Sequence, residues 1–170
     1  MSESQWSSSI SLNTKASYIP NSEEATLSAS DKAANDLFGC AISISSDGSR
    51  VAVGSMYGDS GGIANAGKAY IFSRAGTTWT QEAVLTASDK ATDSWLGYSI
   101  SIAYDGTRVA VGAMYATPGG IANAGKAYVF SRSGTTWTQE AVLTASDKAS
   151  YDSFGSTVSI SGDGTRVTVG

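Results

Sequence analysis

The chain has 170 residues, with 15 Asp and Glu against 11 Lys and Arg and a net charge of −4. Its 15% charged and 41% hydrophobic fractions argue against intrinsic disorder, and its acidic balance against the basic footprint that nucleic acid requires. The absence of His and the single Cys40 exclude imidazole bases, Ser-His-Asp and Cys-His triads, His-containing zinc sites and internal disulfides.

The first 22 residues form a Ser-rich arm closed by Pro20-Asn21. Its apolar residues Trp6, Ile10, Leu12, Tyr18 and Ile19 suit docking onto a neighbouring subunit, and the bland alternative is a loose tail. It carries no basic segment followed by an apolar core, so no secretory signal is expected. No apolar run in the chain approaches the roughly 20 residues of a membrane helix, so no membrane insertion is expected.

From residue 23 onward the chain repeats itself. Leu-Ser-Ala-Ser-Asp-Lys-Ala begins at Leu27, and near copies begin at Leu85 and Leu143, each 58 residues on. The same offset of 58 links Asp47-Gly48, Asp105-Gly106 and Asp163-Gly164. Residues 62–91 and 120–149 differ only at Ile71/Val129 and Ala75/Ser133, which indicates recent duplication. The units run approximately over 23–86, 87–144 and a partial 145–170.

Within a unit, residues 39–45 alternate small or polar with apolar side chains, as a half-buried strand does. Asp47-Gly48 then predicts a hairpin turn, followed by a strand with Val51 and Val53 on one face. A loop over 57–67 leads to a third strand at 68–73, a turn at 74–77 and a fourth strand at 79–85. The second unit repeats this order, and no window shows a sustained helical period. Four short antiparallel strands per 58 residues predict an all-β chain of β-propeller-type blades, about two and a half of them, in an incomplete ring. Glu24-Ala25-Thr26-Leu27 matches the end of a fourth strand, and the third strand of that blade is expected to be missing.

The residues also resemble a known family. Phe38-Gly39, Leu96-Gly97 and Phe154-Gly155 resemble the "FG" of FG-GAP repeats, the blades of the integrin α-subunit propeller. Gly54-Ser55-Met56 and Gly112-Ala113-Met114 stand where "GAP" would. The resemblance covers 23–170 and is closest to the bacterial and viral branch. It implies blades that close, in complete members, into a seven-bladed ring, with roles in adhesion and at extracellular or virion surfaces. Members often carry an Asp-x-Asp-x-Asp-Gly calcium loop, but each matching loop here holds a single Asp. Calcium takes six to eight oxygen ligands, so no metal site is carried over and no cofactor is expected.

Asp31/Asp36, Asp89/Asp93 and Asp147/Asp152 flank the FG positions. They read as turn formers accepting backbone hydrogen bonds rather than as cation ligands or a hydrolytic pair, because they recur in every unit. Trp79 and Trp137 read as blade-to-blade packing, with sugar stacking the alternative. Arg50, Arg108 and Arg166 suit a bridge to a nearby Asp, and Cys40 reads as a buried inert thiol. The binding candidates are loop residues Tyr57, Asp59 and Asn65 with Tyr115, Thr117 and Asn123, because long Gly-rich loops on a rigid scaffold concentrate binding.

The expected function is therefore non-catalytic: a structural or adhesive module at a virion, particle or extracellular surface. Its expected partners are proteins, including copies of itself, with a glycan as a second class. The competing expectation is a propeller accessory domain of a larger extracellular enzyme or carbohydrate-binding protein.

Overall fold

Each Asp-Gly turn does what the alternation around it predicts. The computed structural model describes residues 9–12 and 25–170. Its strands are β1 (Ser9–Leu12), β2 (Ala25–Ser28), β3 (Phe38–Ile44), β4 (Arg50–Ser55), β5 (Lys68–Ala75) and β6 (Thr78–Leu85). They continue as β7 (Leu96–Ile102), β8 (Arg108–Ala113), β9 (Lys126–Ser133), β10 (Thr136–Leu143), β11 (Val158–Ile160) and β12 (Val167–Val169). Among the described residues the only helical element is one 3-10 turn, Pro118–Gly120. The chain is all-β.

Two four-stranded antiparallel sheets, β3-β4-β5-β6 and β7-β8-β9-β10, are the whole blades. The hairpin carboxylates hold their turns. Asp47 accepts from the Ser49 amide at 2.9 Å, Asp105 from the Thr107 amide at 3.0 Å and Asp163 from the Thr165 amide at 3.0 Å. The third unit contributes the two-stranded sheet β11-β12. Its first strand begins at Val158 rather than beside Gly155, and Phe154 makes only an isolated parallel bridge to Gly125.

The expectation of a missing third strand at the N-terminal end needs correction. β1 pairs antiparallel with β2, with Ile10 opposite Leu27 and Leu12 opposite Ala25. In the next blade Ala69 lies opposite Leu85 and Ile71 opposite Ala83. β1 and β2 are therefore the third and fourth strands of a blade. Ser-Ile-Ser-Leu hides this, because it shares little with Lys-Ala-Tyr-Ile at the same register. Trp6, Tyr18, Ile19 and the rest of the expected arm lie outside the described residues.

Blades stack through apolar faces that repeat at the same offset. One cluster joins Leu27, Ala29, Phe38, Val51, Val53, Tyr70 and Phe72. A larger one joins Leu85, Ala87, Leu96, Val109, Val111, Tyr128 and Phe130 with Ala52, Ile71, Ile100 and Ile102. Burying each such large side chain contributes roughly 1.5–3 kcal/mol, so stacking is the main driving force. Glycine permits the closest approach. A Cβ on Gly54 would stand 2.0 Å from the Gly97 carbonyl oxygen, and Gly97 itself holds φ +94.

Candidate functional site

Several charged side chains in the repeats hold blades together. Asp31 accepts from Lys68 Nζ at 2.6 Å and from the Tyr70 hydroxyl at 2.8 Å. Asp89 accepts in the same way from Lys126 and, at 2.8 Å, from Tyr128. Burial opposes ionisation of both carboxyls, but the ammonium and phenol donors outweigh it and hold them below the ordinary range. Burial and then the carboxylate push both phenols up. The two aspartates thus latch the approach to each blade onto its third strand, a role beyond turn formation. Asp36 does accept a backbone bond, from the Ala33 amide at 3.2 Å. Burial raises its carboxyl.

Glu82, on β6, carries the contact between whole blades. It accepts from Arg50 at 3.3 Å, from Arg132, and from Trp137 Nε1 at 2.8 Å. Burial disfavours its charge, but the bonds from Arg132 and Trp137 hold its carboxyl below the usual value. Two of the recurrent arginines thus pair with outer-strand glutamates, Arg50 with Glu82 and Arg108 with Glu140, and not with a nearby Asp. Trp137 packs against the interblade cluster, as a repeated tryptophan is expected to.

The six loop candidates divide. The Asp59 carboxylate accepts from the Asn65 amide at 3.0 Å, and Asn65 Nδ2 donates to Asp93 at 2.7 Å. The Asn65 carbonyl accepts from the Trp95 amide at 3.2 Å, and the Asn123 carbonyl from the Ser153 amide at 3.1 Å. Asn65 and Asn123 sit at φ 49 and 52, a left-handed backbone Asn tolerates. These two loops clamp each unit to the next through backbone bonds. The Thr117 carbonyl accepts from the Gly120 amide at 3.4 Å, closing the 3-10 turn.

Tyr57 and Tyr115 come together. Each packs edge-on against Trp95, with ring centroids 4.9 and 4.2 Å away. Trp95 Nε1 is buried without a hydrogen-bond partner. Sequence reasoning missed Trp95. The available signal was its uniqueness, since Leu37 and Ser153 hold that position in the other units. The rings form a half-buried aromatic group spanning two units on the loop face. Cys40 also departs from expectation. It is exposed, and its thiol lies 3.3 Å from the Gly97 carbonyl oxygen. Further along β3, Ile42 and Ile44 are exposed as well.

Comparison with known families matches the FG-GAP repeat over residues 21–72, 79–130 and 137–170. The chain belongs to the FG-GAP repeat family. Compared with curated proteins, the sequence matches none. Among solved structures, this FG-GAP chain is similar to Kuenenia stuttgartiensis hydrazine synthase, at 14% identity and TM-score 0.47, over 77% of this chain and 28% of that one. It is also similar to TolB from Acinetobacter baumannii, at 12% identity and TM-score 0.45, over 87% and 28% of the two chains. A third is a GH74 enzyme from Niastella koreensis, at 22% identity and TM-score 0.45, over 75% and 20%. The FG-GAP chain spans at most 28% of these structures' lengths.

Proposed function

We propose that this FG-GAP repeat chain is a non-catalytic structural and adhesive module of a virion, particle or extracellular surface, working through protein contacts. The supporting observation is where the repeated carboxylates go. Asp31, Asp89, Glu82 and the hairpin aspartates all accept hydrogen bonds that hold turns, strands or blades. Such a scaffold presents loops and sheet edges rather than a reacting pair. The test is density-gradient fractionation of native source material with an antibody to the chain. Co-migration with a particle or surface fraction is expected, and recovery only as free soluble protein would overturn the proposal.

A second reading, a carbohydrate-binding or enzyme-accessory propeller, is favoured by Tyr57, Trp95 and Tyr115. Half-buried aromatic rings suit the apolar face of a sugar. Tryptophan fluorescence titrated with a panel of oligosaccharides tests it, with Trp95→Phe as the control. A saturable change lost in that variant would support this reading, and a flat response across the panel would remove it.

A further inference from the structure

The two junctions between successive units share one backbone scaffold and differ in what it carries. At the first, Asn65 is the hub. Its amide donates to Asp59 Oδ1 at 3.0 Å and its Nδ2 to Asp93 Oδ1 at 2.7 Å, while its carbonyl accepts from the Trp95 amide at 3.2 Å. The Asp93 amide donates to the Ala64 carbonyl at 3.1 Å, and the Tyr57 amide to the Asp36 carbonyl at 3.2 Å. One loop thus ties two carboxylates to the backbone that presents Tyr57 and Trp95. At the second junction Asn123 makes the same backbone bond, to Ser153. There Thr117, Tyr151 and Ser153 stand in place of Asp59, Asp93 and Trp95. Residues 62–91 and 120–149 differ at two positions only, yet the flanking stretches that furnish these junction side chains diverge.

The divergent side chains suit positive charge. Tyr57 and Tyr115 meet Trp95 at 74° and 66°, so the rings form a walled corner rather than a flat stack. All three are half-buried, and Asp59 and Asp93 are exposed. Among the described residues neither carboxylate has a Lys or Arg partner, whereas Asp31, Asp89, Glu82 and Glu140 each have one. Ring faces attract cations, and two unneutralised carboxylates on the same junction add to that attraction. Two carboxylates supply too few hard oxygens for a calcium ion. One oxygen of each is already taken by Asn65, so they offer charge more than hydrogen-bond acceptors. A cation clothed in methyl groups, with no N–H to satisfy, meets these terms best.

We propose that Tyr57, Trp95 and Tyr115, with Asp59 and Asp93 on the same junction, bind a quaternary ammonium group of the trimethylammonium class. This goes beyond the assembly reading and does not depend on it. It shares its rings with the carbohydrate reading, and ligand charge separates the two.

The experiment is isothermal titration calorimetry of the full chain with choline chloride, its uncharged tert-butyl isostere, arginine and a neutral oligosaccharide. Saturable binding of choline is expected, with none of the isostere. The variants borrow residues this fold already carries at the same positions: Asp93→Asn after Asn35, Trp95→Leu after Leu37 and Asp59→Thr after Thr117. Trp95→Leu should weaken choline binding roughly two- to fivefold, the worth of one exposed cation–π contact. Asp93→Asn should weaken it as well, and the triple variant should abolish it, each with the parent's circular dichroism spectrum. Phosphocholine vesicles and a trimethyllysine peptide distinguish the two sources of the group, the tighter binder being the natural carrier. No heat with choline, equal binding of the isostere or of arginine, or undiminished binding in the triple variant would each overturn the proposal. Binding of the oligosaccharide with none of choline would overturn it in favour of the carbohydrate reading.

Discussion

The Tyr128 hydroxyl and Lys126 ammonium share one carboxylate, Asp89, and the two can be separated by mutation. Tyr128→Phe keeps the ring in the core and removes one hydrogen bond to a charged acceptor, so a loss of about 1–3 kcal/mol in urea unfolding is expected. Tyr70→Phe should behave alike, because Asp31 repeats the arrangement. Asp31, Asp89 and Glu82 all titrate below their usual range in the folded chain, and Asp163 at about 2. A group with a depressed folded pKa stabilises above its unfolded pKa and loses that contribution as pH falls through the folded value. Thermal stability should therefore fall from about pH 4 toward pH 2. Asp36, raised by burial, works the other way and loses stability as pH rises through its folded pKa. Lys68→Met together with Lys126→Met should flatten the acid limb of the melting curve. A limb unchanged by both substitutions would contradict the assignment.

Blades meet at backbone distance, and glycine decides whether they can. A Cβ on Gly97 would stand 2.3 Å from the Lys68 carbonyl oxygen at a φ of +94. Gly97→Ala should cost about 3 kcal/mol or more, combining clash with left-handed strain, and calorimetry of the variant checks this. Glu82→Ala should cost about 3–5 kcal/mol, because it leaves Arg50 and Arg132 beside a lost carboxylate whose side chain was only 8% exposed. A double-mutant cycle with Trp137→Phe should show coupling, since Trp137 donates to the same group. At this scale the sequence is legible wherever local rules act. Asp-Gly turns, strand alternation and the shared face of Val51, Val53, Tyr70 and Phe72 all follow from residue type. Tertiary partners are not legible in this way. The length and glycines of the 57–67 loop suggested binding, yet Asn65 holds Trp95 and Asp93 of the next unit. β1 was hidden because its place depends on pairing with β2 and not on its own pattern.

Across the described residues, blades are held to one another by shared apolar faces and by ion pairs such as Arg132 with Glu82. Among the described residues no three of His, Cys, Asp and Glu gather in a metal-binding group. Melting curves in excess calcium and in chelator should coincide, and a drop in chelator would reveal a site. The repeats also bear on how the chain finds its structure. β9 differs from β5 only at Val129 and Ser133, so β4 meets two almost equal third strands during folding. Native pairing closes over residues 56–67, and skipping a blade closes over 56–125, a loop roughly six times longer. That difference disfavours the skip by only about 1.5 kcal/mol before blades stack. Roughly one early chain in fourteen would then begin on the wrong partner, by the same closure entropy. Refolding should show a slow minor phase of chains unpicking a whole-repeat slip, a trap that recent duplication sets and sequence divergence would erase.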